Sequence, residues 1–199
     1  MRKVSSVATA GLAGVLVLGA TAVADADQST IRDKRADVLV GSVYDEDGDD
    51  FRRMNAIESR ASGIDITSGR FKHGKKTISV TLRFARLKSN TIVLTEFYVP
   101  GRKKAAFTLR ATTEHARATV VRGSTGREAC TAKLRARRGE NGSVTATIRR
   151  SCLGSPSKLR MATTAVRFSY RGGELLSAGD PLSGKKVQSA QKTPFLRSN

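Results

Sequence analysis

Cys130-Thr-Ala-Lys-Leu-Arg-Ala-Arg-Arg138, Gly139-Glu-Asn-Gly142 and Ser143-Val-Thr-Ala-Thr-Ile-Arg-Arg-Ser-Cys152 form one continuous stretch. Its two arms alternate apolar and polar residues, the period of a strand with one buried face. The middle carries the Asn-Gly pair that two-residue hairpin turns favour. The only two cysteines of the chain stand at the outer ends. The stretch therefore reads as a β-hairpin closed by a Cys130–Cys152 disulfide. With the turn centred on Asn141, Leu134 faces Ile148, Ala136 faces Ala146 and Cys130 faces Cys152. A slip of one residue would turn the apolar set of the return arm to water. Cys130, Ala132, Leu134, Ala136, Val144, Ala146 and Ile148 then face inward. Lys133, Arg135, Arg137 and Arg149 face water, with Lys133 opposite Arg149. Arg150 is the one misfit, since it falls on the inner face and must lie at a sheet end or snorkel to solvent.

Outward from the hairpin the same period recurs. Ile78, Val80, Leu82 and Phe84 alternate with Thr77, Ser79, Thr81 and Arg83. Ile64 to Phe71 leads to a turn at His73-Gly74-Lys75, Ile92 to Val99 ends at Pro100-Gly101, and Phe107, Leu109 and Ala111 form another alternating set. In the last strand region Leu159 and Met161 have one parity, while Val166, Phe168 and Tyr170 have the other, which predicts a bulge near Thr163-Thr164. No stretch after residue 24 shows a sustained helical period. Short strands at this spacing predict an all-β protein, an antiparallel β-sandwich (Ig-like or jelly-roll-like) of 7–9 strands with one disulfide-closed hairpin. A partly closed barrel uses the same signals.

The chain divides accordingly. Residues 1–24 read as a secretory signal peptide: Arg2 and Lys3, an apolar run from Val7 to Ala20, then Ala22-Val23-Ala24. Residues 25–62 read as a polar linker with an edge strand at Val38-Leu39-Val40, residues 63–171 as the β-sandwich, and 172–199 as a turn and a disordered basic tail. No second apolar run of membrane-spanning length follows, so the mature form is expected to lack an integral membrane segment.

Charge sets the expected partners. The chain carries 36 basic and 17 acidic residues, a net charge of +19 and a pI near 10.9. Cleavage after Ala24 removes two basic residues and no acid, leaving +17. Such a field attracts polyanions. Lys133, Arg135, Arg137 and Arg149 on the hairpin, with Arg102, Lys103 and Lys104, are the candidate anion-binding residues. Trp is absent and aromatic residues are 5%, so the ridge lacks the stacking partners of base recognition, and no specific nucleic acid is expected.

Catalytic and metal signatures fail one by one. Asp45-Glu46-Asp47-Gly48-Asp49-Asp50 places Gly48 too early for an EF-hand; a looser oxygen-ligand site drawing in Asp65 or Asp180 fits the composition, but no ligand set is assigned. Gly179 to Lys186 resembles a phosphate loop, yet Pro181 interrupts it and Lys186 stands where Ser or Thr is required. His73 and His115 lie in no catalytic signature and read as surface residues. Two histidines and two bridged cysteines do not make a usual zinc site. Asn141-Gly142-Ser143 matches a glycosylation sequon, which the turn chemistry already explains. No catalytic residue, metal or cofactor is assigned. The competing readings are a hydrolase built on His115 with Glu114 or Asp65, and a secreted inhibitor or structural protein.

Cys130, the stretch Ile148-Arg-Arg-Ser-Cys-Leu-Gly-Ser-Pro156, the signal peptide and Asp65-Ile66 at the first clear strand together resemble a group of small secreted actinobacterial proteins of uncharacterised function. The resemblance covers residues 33–182 and implies an all-β secreted domain without known catalytic residues. The expected molecule is a secreted, basic, monomeric β-protein, extracellular or cell-wall associated, that contacts anionic envelope polymer or a lipid surface.

Overall fold

The structure is a computed structural model that describes residues 27–34, 36–42, 51–171, 173–186 and 190–198. The signal peptide and the acidic run 45–50 lie outside the described residues. In chain order the elements are β1 (Asp27–Arg32), β2 (Leu39–Ser42), β3 (Arg52–Arg53), α1 (Ala56–Ser62), β4 (Ile66–His73), β5 (Thr77–Phe84) and β6 (Arg86–Leu87). Then follow β7 (Ile92–Tyr98), β8 (Phe107–Thr112), β9 (Arg117–Arg122), β10 (Glu128–Arg137), β11 (Gly139–Glu140) and β12 (Ser143–Arg149). A 3-10 turn (Arg150–Leu153), β13 (Lys158–Arg171), β14 (Glu174–Pro181) and β15 (Leu196–Arg197) complete the set.

Every pairing is antiparallel. The main sheet has 13 strands in the order β1-β4-β5-β12-β10-β9-β8-β7-β13-β14-β2-β3, with β15 added on β13. It curls into a half-barrel rather than the expected 7–9-stranded sandwich. β10 makes the bend. Its first half, Glu128–Ala132, pairs with β9, and its second half, Lys133–Arg137, pairs with β12, with a bulge between Glu128 and Cys130. A bulge bends and twists a strand, so one long strand serves both arms of the curl.

The concave side holds the core. Phe71, Phe84, Phe97, Ile64, Ile66, Ile78, Leu82, Leu109, Ile148, Leu159 and Met161 are fully buried. The alternating sets at 78–84 and at 144–148 are buried as expected, while the β10 set of Cys130, Ala132 and Leu134 is half-buried and Ala136 is exposed. At about 25 cal/mol per Å², a completely buried Phe or Leu contributes roughly 1.5–3 kcal/mol.

The hairpin exists, two residues from the expected register. Leu134 faces Ala146 and Ala136 faces Val144. The loop is centred on Glu140 because Gly139 and Glu140 pair with Leu87 and Arg86 of β6. Gly139 and Asn141 both take positive φ, +93° and +50°. A Cβ on Gly142 would stand 2.5 Å from Leu87 Cβ, so that position admits only glycine. The shift is two residues and leaves both faces intact. Cys130 and Cys152 are disulfide-bonded with Cα atoms 5.9 Å apart, but Cys152 sits in the 3-10 turn and not opposite Cys130 in a ladder. Arg150 is relieved of its misfit there: the strand has ended, and its guanidinium donates to the carbonyls of Lys75, Ser155 and Pro156.

Four further expectations are corrected. The described residues within 25–62 are not a linker: β1 pairs with β4, the strand expected at Val38-Leu39-Val40 is present as β2 and pairs with β14, and α1 is capped by Asn55 and Glu58 in a reciprocal box. Seven helical residues are too few to show a period in sequence. The described residues within 172–199 are not a free tail: β14 pairs with β13, and β15 buries Leu196. β13 carries no bulge near Thr163-Thr164; its register with β7 is regular, Thr163 bonds Thr95 inside, and Phe168 and Tyr170 stand exposed on the other face. His73 is buried, its Nδ1 donating to the Leu196 carbonyl at 3.0 Å, rather than a surface residue. Among the described residues no helix is long and apolar enough to cross a membrane.

Candidate functional site

The hairpin ridge is one edge of a larger array. Residues paired across a sheet share a face, so the registers of β1, β4, β5, β12 and β10 define rows on the convex side. One row reads Arg32, Ser68, Arg83, Ser143, Arg137. The next reads Thr30, Arg70, Thr81, Thr145, Arg135. The third reads Gln28, Lys72, Ser79, Thr147, Lys133, and Arg149 stands beyond it opposite Thr77. Lys133 therefore faces Thr147 rather than Arg149. Strand spacing and the two-residue repeat make the face about 19 Å wide and about 14 Å tall.

Eight cations occupy it, and no Asp or Glu stands at any of these positions. All are exposed except Lys72, which is half-buried. Their neighbours are hydroxyls; Thr81 and Thr145 bond at 3.2 Å, and Arg70 donates to Gln28 at 2.8 Å. The ion pairs Arg52–Glu58, Arg60–Glu140 and Arg86–Glu140 lie elsewhere. Ser68, Arg70, Lys72, Ser79, Thr81 and Arg83 line an open groove of about 310 Å³. Thr131, Lys133, Thr147 and Arg149 line a second of about 590 Å³ beside the disulfide.

Lys133, Arg135, Arg137 and Arg149 are thus brought together as expected. Arg102, Lys103 and Lys104 are not: they lie in the β7–β8 turn, with β8 and β9 between them and β10. Arg70, Lys72 and Arg83 were findable from their alternation with Phe71, His73 and Phe84. Arg32 was hidden by reading 25–62 as a linker. The histidine hydrolase gains no support. His115 is exposed, and its ion-pair partner is Glu114 at 3.9 Å. Asp65 is buried among other carboxylates.

Those carboxylates form a second feature. Asp33, Asp37 and Asp180 each place an oxygen within 4.8 Å of the other two. Asp33 and Asp37 lie in the connection from β1 to β2, and Asp180 lies near the end of β14. Asp65, just before β4, accepts from the Ala36 amide at 3.4 Å. Asp180 is fully buried and accepts from the Ile66 amide, while Asp37 is 9% exposed. Asp33 Oδ2, Asp37 Oδ1 and Asp180 Oδ1 are buried without a hydrogen-bond partner. Burial pushes the Asp33 carboxyl up to about 6, against backbone hydrogen bonds from Ser183 and Lys34. Burial also raises Asp37, with the charge of Asp65 adding to it, and raises Asp180 well above the carboxylate range. The donor set is all oxygen, which suits a hard cation.

No protein-family model, curated protein or solved structure matches this chain, so its function is argued from these two sites.

Proposed function

We propose that this is a secreted, monomeric β-protein that holds an anionic cell-envelope polymer against the convex face of β1-β4-β5-β12-β10. The single observation that supports it is the cross-strand array, in which cations are interspersed with hydroxyls and no acid interrupts them. The two grooves on this face are open and lined mainly by polar and charged residues, unlike the mostly apolar clefts that bury small molecules. The face can lie along an extended polyanion, with guanidinium groups pairing phosphates or carboxylates and hydroxyls filling the gaps. The array contains no aromatic residue, which favours charge recognition over base or sugar stacking. The apolar run Val7–Ala20 and the disulfide support export, as does the resemblance to small secreted actinobacterial proteins.

The test is retention on purified cell wall, with anionic lipid vesicles as the comparison arm. Binding to wall at low salt, released at high salt, is the expected result. The triple reversal Arg70→Glu, Lys72→Glu, Arg135→Glu is expected to weaken it about 100-fold at low salt. Arg102→Glu, Lys103→Glu, Lys104→Glu changes the net charge equally and is expected to act several-fold less. Equal losses from the two triples would show that net charge acts and the face does not. Vesicle binding without wall binding would move the ligand to lipid, and no retention on either would end the proposal.

A further inference from the structure

Three carboxylates that each keep a buried, unpartnered oxygen do not sit together at neutral pH unless something neutralises them. Among the described residues no Lys or Arg side chain donates a hydrogen bond to Asp33, Asp37 or Asp180; Arg53 and Lys34 act on Asp37 only through their field. The geometry points to a calcium site formed by Asp33, Asp37 and Asp180, with Asp65 beside it. Three observations converge. The ligand oxygens are mutually within 4.8 Å. Asp180 is fully buried, with one oxygen committed to the Ile66 amide and the other unsatisfied. The donors are oxygen alone, from separate elements, an irregular arrangement that calcium accepts and magnesium, with its strict octahedron, accepts poorly.

The position gives the ion a structural task. β1 and β2 are consecutive in sequence, yet β1 stands at one end of the strand path and β2 next to the other. Their connection carries Asp33 and Asp37; β4, on one arm of the curl, supplies the Ile66 amide; β14, on the other arm, supplies Asp180. A cation there clasps the seam where the two arms of the half-barrel meet. β15 closes the far end of the same seam, through the Arg197 amide to Asp27 and His73 to Leu196.

The experiment uses the mature chain freed of metal with chelator, titrated with calcium by equilibrium dialysis and calorimetry. One calcium per chain is expected, with magnesium at least about tenfold weaker. At calcium 100-fold above Kd the melting temperature is expected to rise by about 5 °C or more. Hydrogen exchange on the wild-type chain should show calcium-dependent protection at 33–37, 64–67 and 179–182. Asp180→Asn and Asp37→Asn are each expected to abolish that protection and the calcium shift. Asp37→Asn, in a loop, decides the matter if the Asp180 variant does not fold. Neutralising the acidic run through Asp45→Asn, Asp47→Asn, Asp49→Asn and Asp50→Asn should leave binding intact. Binding that follows the run instead of Asp37 and Asp180, or no binding up to about 10 mM calcium, would overturn the proposal.

Discussion

The convex face and the aspartate seam treat charge in opposite ways. On the face, eight cations stand among hydroxyls, some on neighbouring strands and some two residues apart on one strand, and all but the half-buried Lys72 are exposed to screening by water. In the seam, acids converge where burial, and after it the charge of neighbouring carboxylates, raises them. The face can be changed with little consequence for folding, because exposed charges contribute little to stability. The seam cannot, because unsatisfied buried carboxylates cost several times more than surface ones recover. The difference separates two uses of charge: one offered to a partner, one held in reserve for an ion.

The largest expected effect breaks the seam from its apolar side. Phe71 is fully buried, and its ring lies close to Gly69, against which Leu182 of the opposite arm packs. Phe71→Ala should cost about 3–5 kcal/mol in chemical denaturation. Arg70→Glu and Lys72→Glu, its neighbours on the other side of the same strand, should each change stability by less than about 0.5 kcal/mol. Comparable losses for Phe71 and its neighbours would erase the division of β4 into a core side and a binding side.

The next effect concerns the edge of the array. Cys130 opens β10 and Cys152 closes the segment after β12, 22 residues apart. Replacing both by Ser should cost about 3 kcal/mol by the loop-closure estimate and weaken wall retention through the Lys133 and Arg149 groove. Unchanged stability in the double Ser variant would show that β10 is held by its ladders alone.

The smallest effect distinguishes the two regions by pH. Asp33, Asp37 and Asp180 have folded-state values raised by burial, Asp33 to about 6. A raised folded value means that stability is fully present below the unfolded value near 3.8 and is lost as pH rises through about 6. The groups facing them are Asp65, Lys34 and Arg53. In chelator, the melting temperature should therefore fall as pH rises from about 4 to about 7, the reverse of ordinary acid denaturation. Calcium should flatten that slope. A chelated protein whose melting temperature rises over the window would contradict the burial of these acids.

Alternation made half of this molecule readable. Ile78 to Phe84 and Val144 to Ile148 are buried as their period demands, and the hairpin cations face outward because the other parity is apolar. The register was missed because Gly139-Glu140 pairs with β6, a contact 52 to 54 residues distant that no local turn rule contains. The strand at 27–32 was obscured by polar flanks; it ends the path, and only Ile31 marks its apolar side, whereas the strand expected at Val38-Leu39-Val40 is present at 39–42 and lies between β14 and β3. The aspartates were the least legible. Asp65 and Asp180 stood out as possible oxygen ligands, but for the acidic run and not for Asp33 and Asp37. Residues 147 positions apart become neighbours only once β1 and β14 are known to flank one seam.

The path of the sheet also fixes an order of assembly. Among the described residues β1 finds its only ladder on β4, and β2 finds its place on β14, which spans residues 174–181. Non-local pairings are slow because the intervening loop must close before any bond repays it. β2, made early, is therefore seated late, whereas β1 can pair once β4 is made. Until β14 pairs, Asp33 and Asp37 lack Asp180, so the proposed calcium site is completed only at that step.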